Sequence, residues 1–379
     1  MPEDIPLFEI AWDEKDVKNA VDSITRGGYW AKGPYVSEFE DEIEEYLGTE
    51  HAVTVNSGTS ALVVALRSLG VGDGDEVVVP SFTFIATANS VKITGAEPVF
   101  ADVDPETFAL DPEAVEAQIT EDTAAVLTVH PYGRAGDLEG LLRVTDRHDV
   151  PLVEDAAETF GATHEGEYLG TFGDVAALSF CQNKVITTGE GGAVITDDDD
   201  IAAEAELFRS HGRASGEYFQ SAGTGQYSSL GSNLRMSDLV ASIGCAQIDK
   251  VEDLIERRRD VAMRLNDGFE DIEGVTPHPQ PENGRHVYQL YTVQFDEWVD
   301  REYVVKVLDD HGISSKVYWD PPVHATDYYR GEECPSGDLS TTEIVASTVL
   351  SLPMHPNLSV ESTDRIVDAV GTALENEKR

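Results

Sequence analysis

Seven short apolar runs, most rich in β-branched residues, recur between roughly residues 50 and 200, each bounded by turn-forming residues: HAVTVN, DEVVVPS, EPVFADV, AAVLTVH, PLVEDAA, VAALSF and GGAVIT. Between most of them the apolar spacing changes to that of a helix, as in SALVVALRSLG and DPEAVEAQIT. This alternation predicts an α/β fold with a mostly parallel sheet sandwiched by helices. Ligands of such sheets sit beyond the carboxyl ends of the strands. A Gly- and Ser-rich stretch follows, HGRASGEYFQSAGTGQYSSLGSN, long enough to be an arm or lid. The helix-rich MSDLVASIGCAQIDKVEDLIERRRDVAMRLNDGF then leads out of the large domain, and HVYQLYTVQF and SSKVYW read as strands of a smaller C-terminal α+β domain. The expected division is a large domain over residues 1–250 and a small one over 251–379.

Charge changes this picture more than size does. The formal net charge is −46 in a chain that is still 41% hydrophobic, and Asp and Glu are spread through every segment, with TDDDD the one run. The charge is therefore a solvated surface and not a disordered tail. Such a surface repels itself unless salt shortens the Debye length, to about 3 Å at 1 M, so adaptation to high salt is expected. Nucleic acid and anionic membranes are poor partners, because phosphate binding needs clustered Lys and Arg. The three cysteines, Cys181, Cys245 and Cys334, are too widely spaced for a disulfide framework or a metal cluster. With no leader-like N-terminus and no span-length apolar stretch, a soluble cytoplasmic protein is expected.

Four strand ends carry unusual chemistry. In VNSGTSALVVAL a strand meets Ser57, Gly58, Thr59 and Ser60 just before a helix, which suits either a phosphate cradle or a plain N-cap. VPSFTFIATANS places Phe82 and Phe84 where an aromatic could cover a planar ring or simply pack in the core. PLVEDAAETFGA ends a buried strand in Glu154 and Asp155, with Glu158 one turn on. A carboxylate there caps a helix or needs a cationic partner such as a protonated pyridine nitrogen. The fourth, LSFCQNKVITTGEGG, sets Lys184 five residues after Ser179, in a chain where only 9 of 26 basic residues are Lys. A desolvated lysine there can lose its proton and bond a carbonyl carbon. Phosphate cradle, ring cover, acid and amine together form the inventory for pyridoxal 5′-phosphate.

The ordered motifs GPYVSEFEDEIEEYLGTEHAVTVNSGTSAL, PSFTFIATANSVKITGAEPVFADVD, EDAAETFGA, GDVAALSFCQNKVITTGEGG, GSNLRMSDLVASIGCAQI and PPVH run along nearly the whole chain. In these the sequence resembles the DegT/DnrJ/EryC1/StrS sugar aminotransferases. The resemblance implies the aspartate-aminotransferase-like fold type I, with a seven-stranded sheet and a smaller C-terminal domain. It implies that Lys184 bonds the cofactor's aldehyde carbon and moves the proton, that Asp155 pairs with the ring nitrogen, and that Phe84 covers the ring. Gly58, Thr59, Ser60 and Ser179 would hold the phosphate, and Asn233 would reach it from a neighbouring subunit, making a homodimer with shared sites. Glu158 stands where many relatives carry Gln near the cofactor's 3′-oxygen, a likeness to the perosamine-synthase branch. GSNLRM replaces the usual GYNYRM, which alters the sugar pocket. Lys184 itself argues against the related dehydratases, which carry His there.

The implied reaction moves an amino group from glutamate to a nucleotide-linked 4-keto-6-deoxyhexose. Lys32, Arg209, Arg213 and Arg235 are candidate cations for the sugar nucleotide's phosphates, and His324 is a candidate for the sugar site. The rival readings are an aminotransferase acting on a free ketose or cyclitol, and a cofactor-binding regulator. The charge of −46 and the lack of a basic helix-turn-helix segment oppose the latter.

Overall fold

The computed structural model describes residues 4–214, 225–332 and 334–378. All seven apolar runs form strands of one sheet: β1 (His51–Val55), β2 (Glu76–Pro80), β3 (Glu97–Ala101), β4 (Thr123–Val129), β5 (Leu152–Asp155), β6 (Val175–Ser179) and β7 (Gly192–Thr196). Their spatial order is β1-β7-β6-β5-β4-β2-β3. From β6 to β3 every pairing is parallel, while β7 runs antiparallel to both its neighbours. Connection type explains the exception. A parallel neighbour requires a crossover, whereas β7 follows β6 through a compact helix-free turn that can only reverse the chain.

Helices α1 (Glu14–Thr25) and α2 (Pro34–Leu47) precede the sheet. The crossovers are α3 (Gly58–Ser68), α4 (Ala86–Thr94), α5 (Pro112–Gln118) and α6 (Leu138–His148). Then come α7 (Asp199–Arg209), α8 (Asp238–Ile248) and α9 (Val251–Phe269). The strands are covered on both faces, and β7 shows how period-two alternation achieves it. Val194 packs with Val64 and Ala65 of α3 on one side, and Ala193 and Ile195 pack with Phe39 and Ile43 of α2 on the other. Much of the acidic excess near helix starts is structural. Asp13, Asp111, Asp137, Asp198 and Asp300 each cap a helix, and the TDDDD run is the start of α7, where Asp198 accepts the N–H groups of Asp200 and Ile201. Such a cap is worth about 1 kcal/mol.

The C-terminal part forms a three-stranded antiparallel sheet of β8 (Val275–Pro277), β9 (Tyr291–Phe295) and β10 (Val349–Leu352). Phe269 of α9, Leu308 of α10 (Arg301–Asp310) and Ile366 of α12 (Val360–Glu377) pack with Tyr291, Val293 and Leu350. α11 (Ser340–Thr348) leads into β10 with no intervening turn. Here the expected strands need correcting. HVYQLYTVQF is extended only in its second half, because Tyr288 takes a positive φ of 49°. SSKVYW makes a single bridge, Lys316 to Ser351, and no strand. Among the described residues no helix is long and apolar enough to cross a membrane.

His278 and His286 lie fully inside this packing, His278 stacked on Phe108 at 4.7 Å and His286 on Tyr288 at 4.0 Å. Burial pushes both downward, His278 to about 3. An unfolded histidine titrates near 6.5, so on acidification the unfolded chain takes up protons that the folded one refuses. The His278 contribution is complete above pH 6.5 and is lost as pH falls, by about 2 kcal/mol at pH 5, and that of His286 changes in the same direction. Denaturant midpoints at pH 7 and pH 5 should therefore differ less in His278→Phe than in the parent. Equal differences would refute this account of the acid sensitivity.

Candidate active site

The two acids that end β5 have separate fates, because neighbouring strand residues point to opposite faces. Glu154 is fully buried, 2.8 Å from the His130 ring, and accepts the N–H groups of Gly170, Phe172 and Gly173 at 2.9, 2.8 and 2.7 Å. Burial alone would raise its pKa, but His130 and these N–H groups hold it below the usual range. It braces the sheet and is fully satisfied. Asp155 is also buried, but accepts only the Thr87 hydroxyl at 2.9 Å and the Ala157 N–H at 3.2 Å. Burial pushes its pKa up, and among the described residues no cation lies within ion-pair distance. Thr87 is itself 2.8 Å from the Thr83 hydroxyl, so a two-threonine relay fixes the carboxylate.

Lys184 stands on the turn between β6 and β7. That turn is tied by Phe180 N–H to Gly191, Thr188 N–H to Phe180 and Lys184 N–H to Cys181, and from outside by the Gln289 side chain, 2.7 Å from the Asn183 carbonyl. The Lys184 side chain is only 14% exposed, and its Nζ lies 3.3 Å from Glu158 Oε1. The other Glu158 oxygen accepts the Tyr132 N–H at 2.8 Å. Amine and carboxylate are therefore held as a pair at the carboxyl end of the sheet.

The start of α3 faces the same end. Ser57 caps it by accepting the Ser60 N–H at 3.1 Å, while the N–H groups of Gly58 and Thr59 have no partner among the described residues. A Cβ on Gly58 would come within 2.7 Å of the Ser179 Cβ, so the end of β6 packs directly on this helix start, and only glycine permits it. The capping is thus observed, and it leaves two N–H groups at the helix start for a ligand to meet. Free N–H groups, the positive end of a helix and the Ser179 hydroxyl together fit a phosphate. The two aromatics also part ways: Phe82 is core, edge-on to Phe108 and Tyr132, whereas Phe84 is 58% exposed and available to a planar ring.

The candidate substrate cations divide. Arg209 is a correction: it is 3% exposed, ion-paired with Glu40 and Glu206 and bonded to the Thr54 carbonyl at 2.7 Å, so α7 and β1 consume it. Lys32, Arg213 and Arg235 instead line one cavity of about 930 Å³. Burial, and to a lesser extent the like charges of Arg213 and Arg209, lower the Arg235 pKa. His324 is turned to the Ser81 hydroxyl at 2.7 Å, with Glu343 at 3.5 Å, while its neighbour Val323 lines a cavity of about 250 Å³ with Phe84, Lys316, Tyr318 and Trp319. Asn233 is exposed and bridges Ser210 through its backbone. Of the Gly- and Ser-rich arm, residues 215–224 lie outside the described residues. Sequence reasoning missed Thr83, Thr87, Tyr132 and Gln289, whose residue types carry no chemical signal of their own.

A family model described as the DegT/DnrJ/EryC1/StrS aminotransferase family matches residues 12–371. The chain is 39% identical over 345 residues to a GDP-perosamine synthase from Caulobacter vibrioides, covering 90% of this chain and 91% of that protein. It is 36% identical over 372 residues to the dTDP-3-amino-3,4,6-trideoxy-alpha-D-glucose transaminase of Streptomyces venezuelae, covering 97% and 95%. Among solved structures, S. venezuelae DesV superposes with a TM-score of 0.90 at 34% identity, covering 99% of each chain. The 3-amino-5-hydroxybenzoic acid synthase superposes with a TM-score of 0.88 at 28% identity, covering 98% of this chain and 99% of that one. The fold is therefore that of the PLP-dependent aminotransferases. The chain belongs to the DegT/DnrJ/EryC1/StrS family and is a sugar aminotransferase whose cofactor is pyridoxal 5′-phosphate.

Proposed function

We propose that this enzyme moves an amino group from glutamate to C4 of a nucleotide-linked 4-keto-6-deoxyhexose, as in perosamine synthesis, for a surface glycan or other glycoconjugate. The observation that carries the nucleotide is the cavity holding Lys32, Arg213 and Arg235, three cations collected on a protein of net charge −46. Its size and charge suit a nucleoside diphosphate better than an uncharged ketose.

In this reading Gly58, Thr59, Ser60 and Ser179 hold the cofactor's phosphate, Phe84 covers its ring and Asp155 pairs with the ring nitrogen. When bound, pyridoxal phosphate supplies an aldehyde that exchanges one amine for another and a ring that draws electrons from the substrate carbon. The pairing relieves the Asp155 carboxylate, which burial otherwise disfavours. Lys184 Nζ takes the proton from the donor's α-carbon and later delivers one to the sugar carbon, and Glu158, 3.3 Å away, keeps it oriented between the two tasks. The test compares a 4-keto-6-deoxyhexose linked to a nucleoside diphosphate with the same sugar free. The linked sugar should be favoured by orders of magnitude in kcat/KM, and Arg235→Ala should erode that preference. Equal rates would favour a ketose or cyclitol substrate.

We also infer a homodimer in which Asn233 completes the partner's phosphate site. Exposed Tyr29, Trp30, Tyr227 and Leu230 lie in the segments that carry Lys32 and Asn233, an apolar surface that a second copy would cover. The acidic exterior fits a salt-rich cytoplasm. Screening should therefore stabilise the fold, with the thermal midpoint falling by several degrees or more between molar and millimolar salt. A flat profile would contradict this.

A further inference from the structure

Of the nine lysines, five are committed to ion pairs: Lys15, Lys92, Lys184, Lys250 and Lys378. Lys18 and Lys306 sit on exposed faces of α1 and α10. The remaining two line cavities, Lys32 the large one already described and Lys316 the small one of about 250 Å³ beside Phe84. In an acidic chain a lysine left without a carboxylate partner inside a cavity is conspicuous.

The Lys316 backbone is fixed by two hydrogen bonds with Ser351, at 3.0 and 2.9 Å, so its Cα is well anchored. The residue is exposed, and its ammonium has no ion pair among the described residues. The adjacent Asp320, which could have neutralised it, is paired with Arg301 instead. Two residues on, Tyr318 accepts the Tyr132 hydroxyl on its carbonyl, and burial together with the charge of Glu158 raises its own hydroxyl's pKa. Tyr132 thus links the two regions, its N–H on Glu158, the partner of Lys184, and its hydroxyl on the Tyr318 carbonyl of the cavity wall. The aromatic surfaces of Phe84 and Trp319 complete it. A space of this size takes a small amino acid, whereas a nucleoside diphosphate needs the larger cavity.

We propose that Lys316 is a specificity residue that binds the distal carboxylate of a dicarboxylic amino donor while the donor's amine faces Lys184. The proposal rests on the amino-transfer reading above and adds to it the group that selects the donor. A charge-assisted contact of this kind is worth about a tenfold to hundredfold preference.

The test uses the holoenzyme and its Lys316→Gln variant in the donor half-reaction alone, followed by the cofactor's absorbance as it passes from aldehyde to amine form. L-Glutamate is compared with L-alanine, which has no distal carboxylate. The glutamate-to-alanine ratio of kcat/KM should fall about tenfold or more in Lys316→Gln, through KM, and should be largely restored in Lys316→Arg. An unchanged ratio overturns the proposal. So does a loss confined to the second half-reaction with the sugar nucleotide, which would assign Lys316 to the substrate's phosphates. A parent enzyme that reacts with neither amino acid would overturn the donor reading itself, a result distinct from both.

Discussion

Replacing Lys184 by alanine is expected to lower turnover by about 10⁴-fold or more while the protein still folds cooperatively. The loss is large because one amine has two tasks, bonding the cofactor's aldehyde carbon and carrying the proton between substrate carbon and solvent. Folding survives because the side chain has one ionic partner, Glu158, and that carboxylate keeps the Tyr132 N–H. The strands around the turn are held by backbone bonds that the substitution does not touch. Borohydride reduction of the parent followed by peptide mapping should place the pyridoxyl group on Lys184. Label on another lysine, or an alanine variant within tenfold of the parent, would remove the assignment.

The second large effect is a gain. Asn233→Ala should be weak alone, and so should Lys184→Ala, yet mixed chains should recover up to about half the activity of a parent dimer per mixed dimer. If Asn233 serves the partner's phosphate site, a mixed dimer has one site with both lesions and one with neither. If it serves its own chain, every site carries one lesion and mixing changes nothing. With subunit exchange confirmed, for instance by tagged chains, the absence of any gain would refute the shared site.

The sheet was legible because its strands are short apolar runs with turn residues between them, a pattern that burial on both faces imposes directly. The C-terminal part was harder. VLSL follows α11 without a turn residue, so the start of β10 has no sequence mark, and the apolar first half of HVYQLYTVQF is bent by a conformation at Tyr288 that its residue type does not announce. The candidate site shows the same division. Lys184, Asp155 and the Ser57–Ser60 turn carry chemistry in their residue types, and the structure brings them to one end of the sheet. Residue types alone left Glu154 and Asp155 open and only the family resemblance chose Asp155, since strand parity and the bond from His130 separate them physically once the neighbours are in place. Arg209 looked like its fellow arginines because its partner Glu40 is 169 residues away. Thr83 and Thr87 were invisible for a related reason: two ordinary hydroxyls matter only because an acid from β5 meets them.

Transfer of an amino group to a nucleotide-linked keto sugar at the Lys184 site is checked by incubating the holoenzyme with glutamate carrying heavy nitrogen and a panel of guanosine- and thymidine-diphosphate-linked 4-keto-6-deoxyhexoses, and reading the products by mass spectrometry and NMR. The predicted result is heavy nitrogen on C4 of one nucleotide sugar, matched mole for mole by 2-oxoglutarate and absent with Lys184→Ala. Heavy nitrogen that never enters any nucleotide sugar, while the same preparation aminates a free ketose or cyclitol, would contradict it.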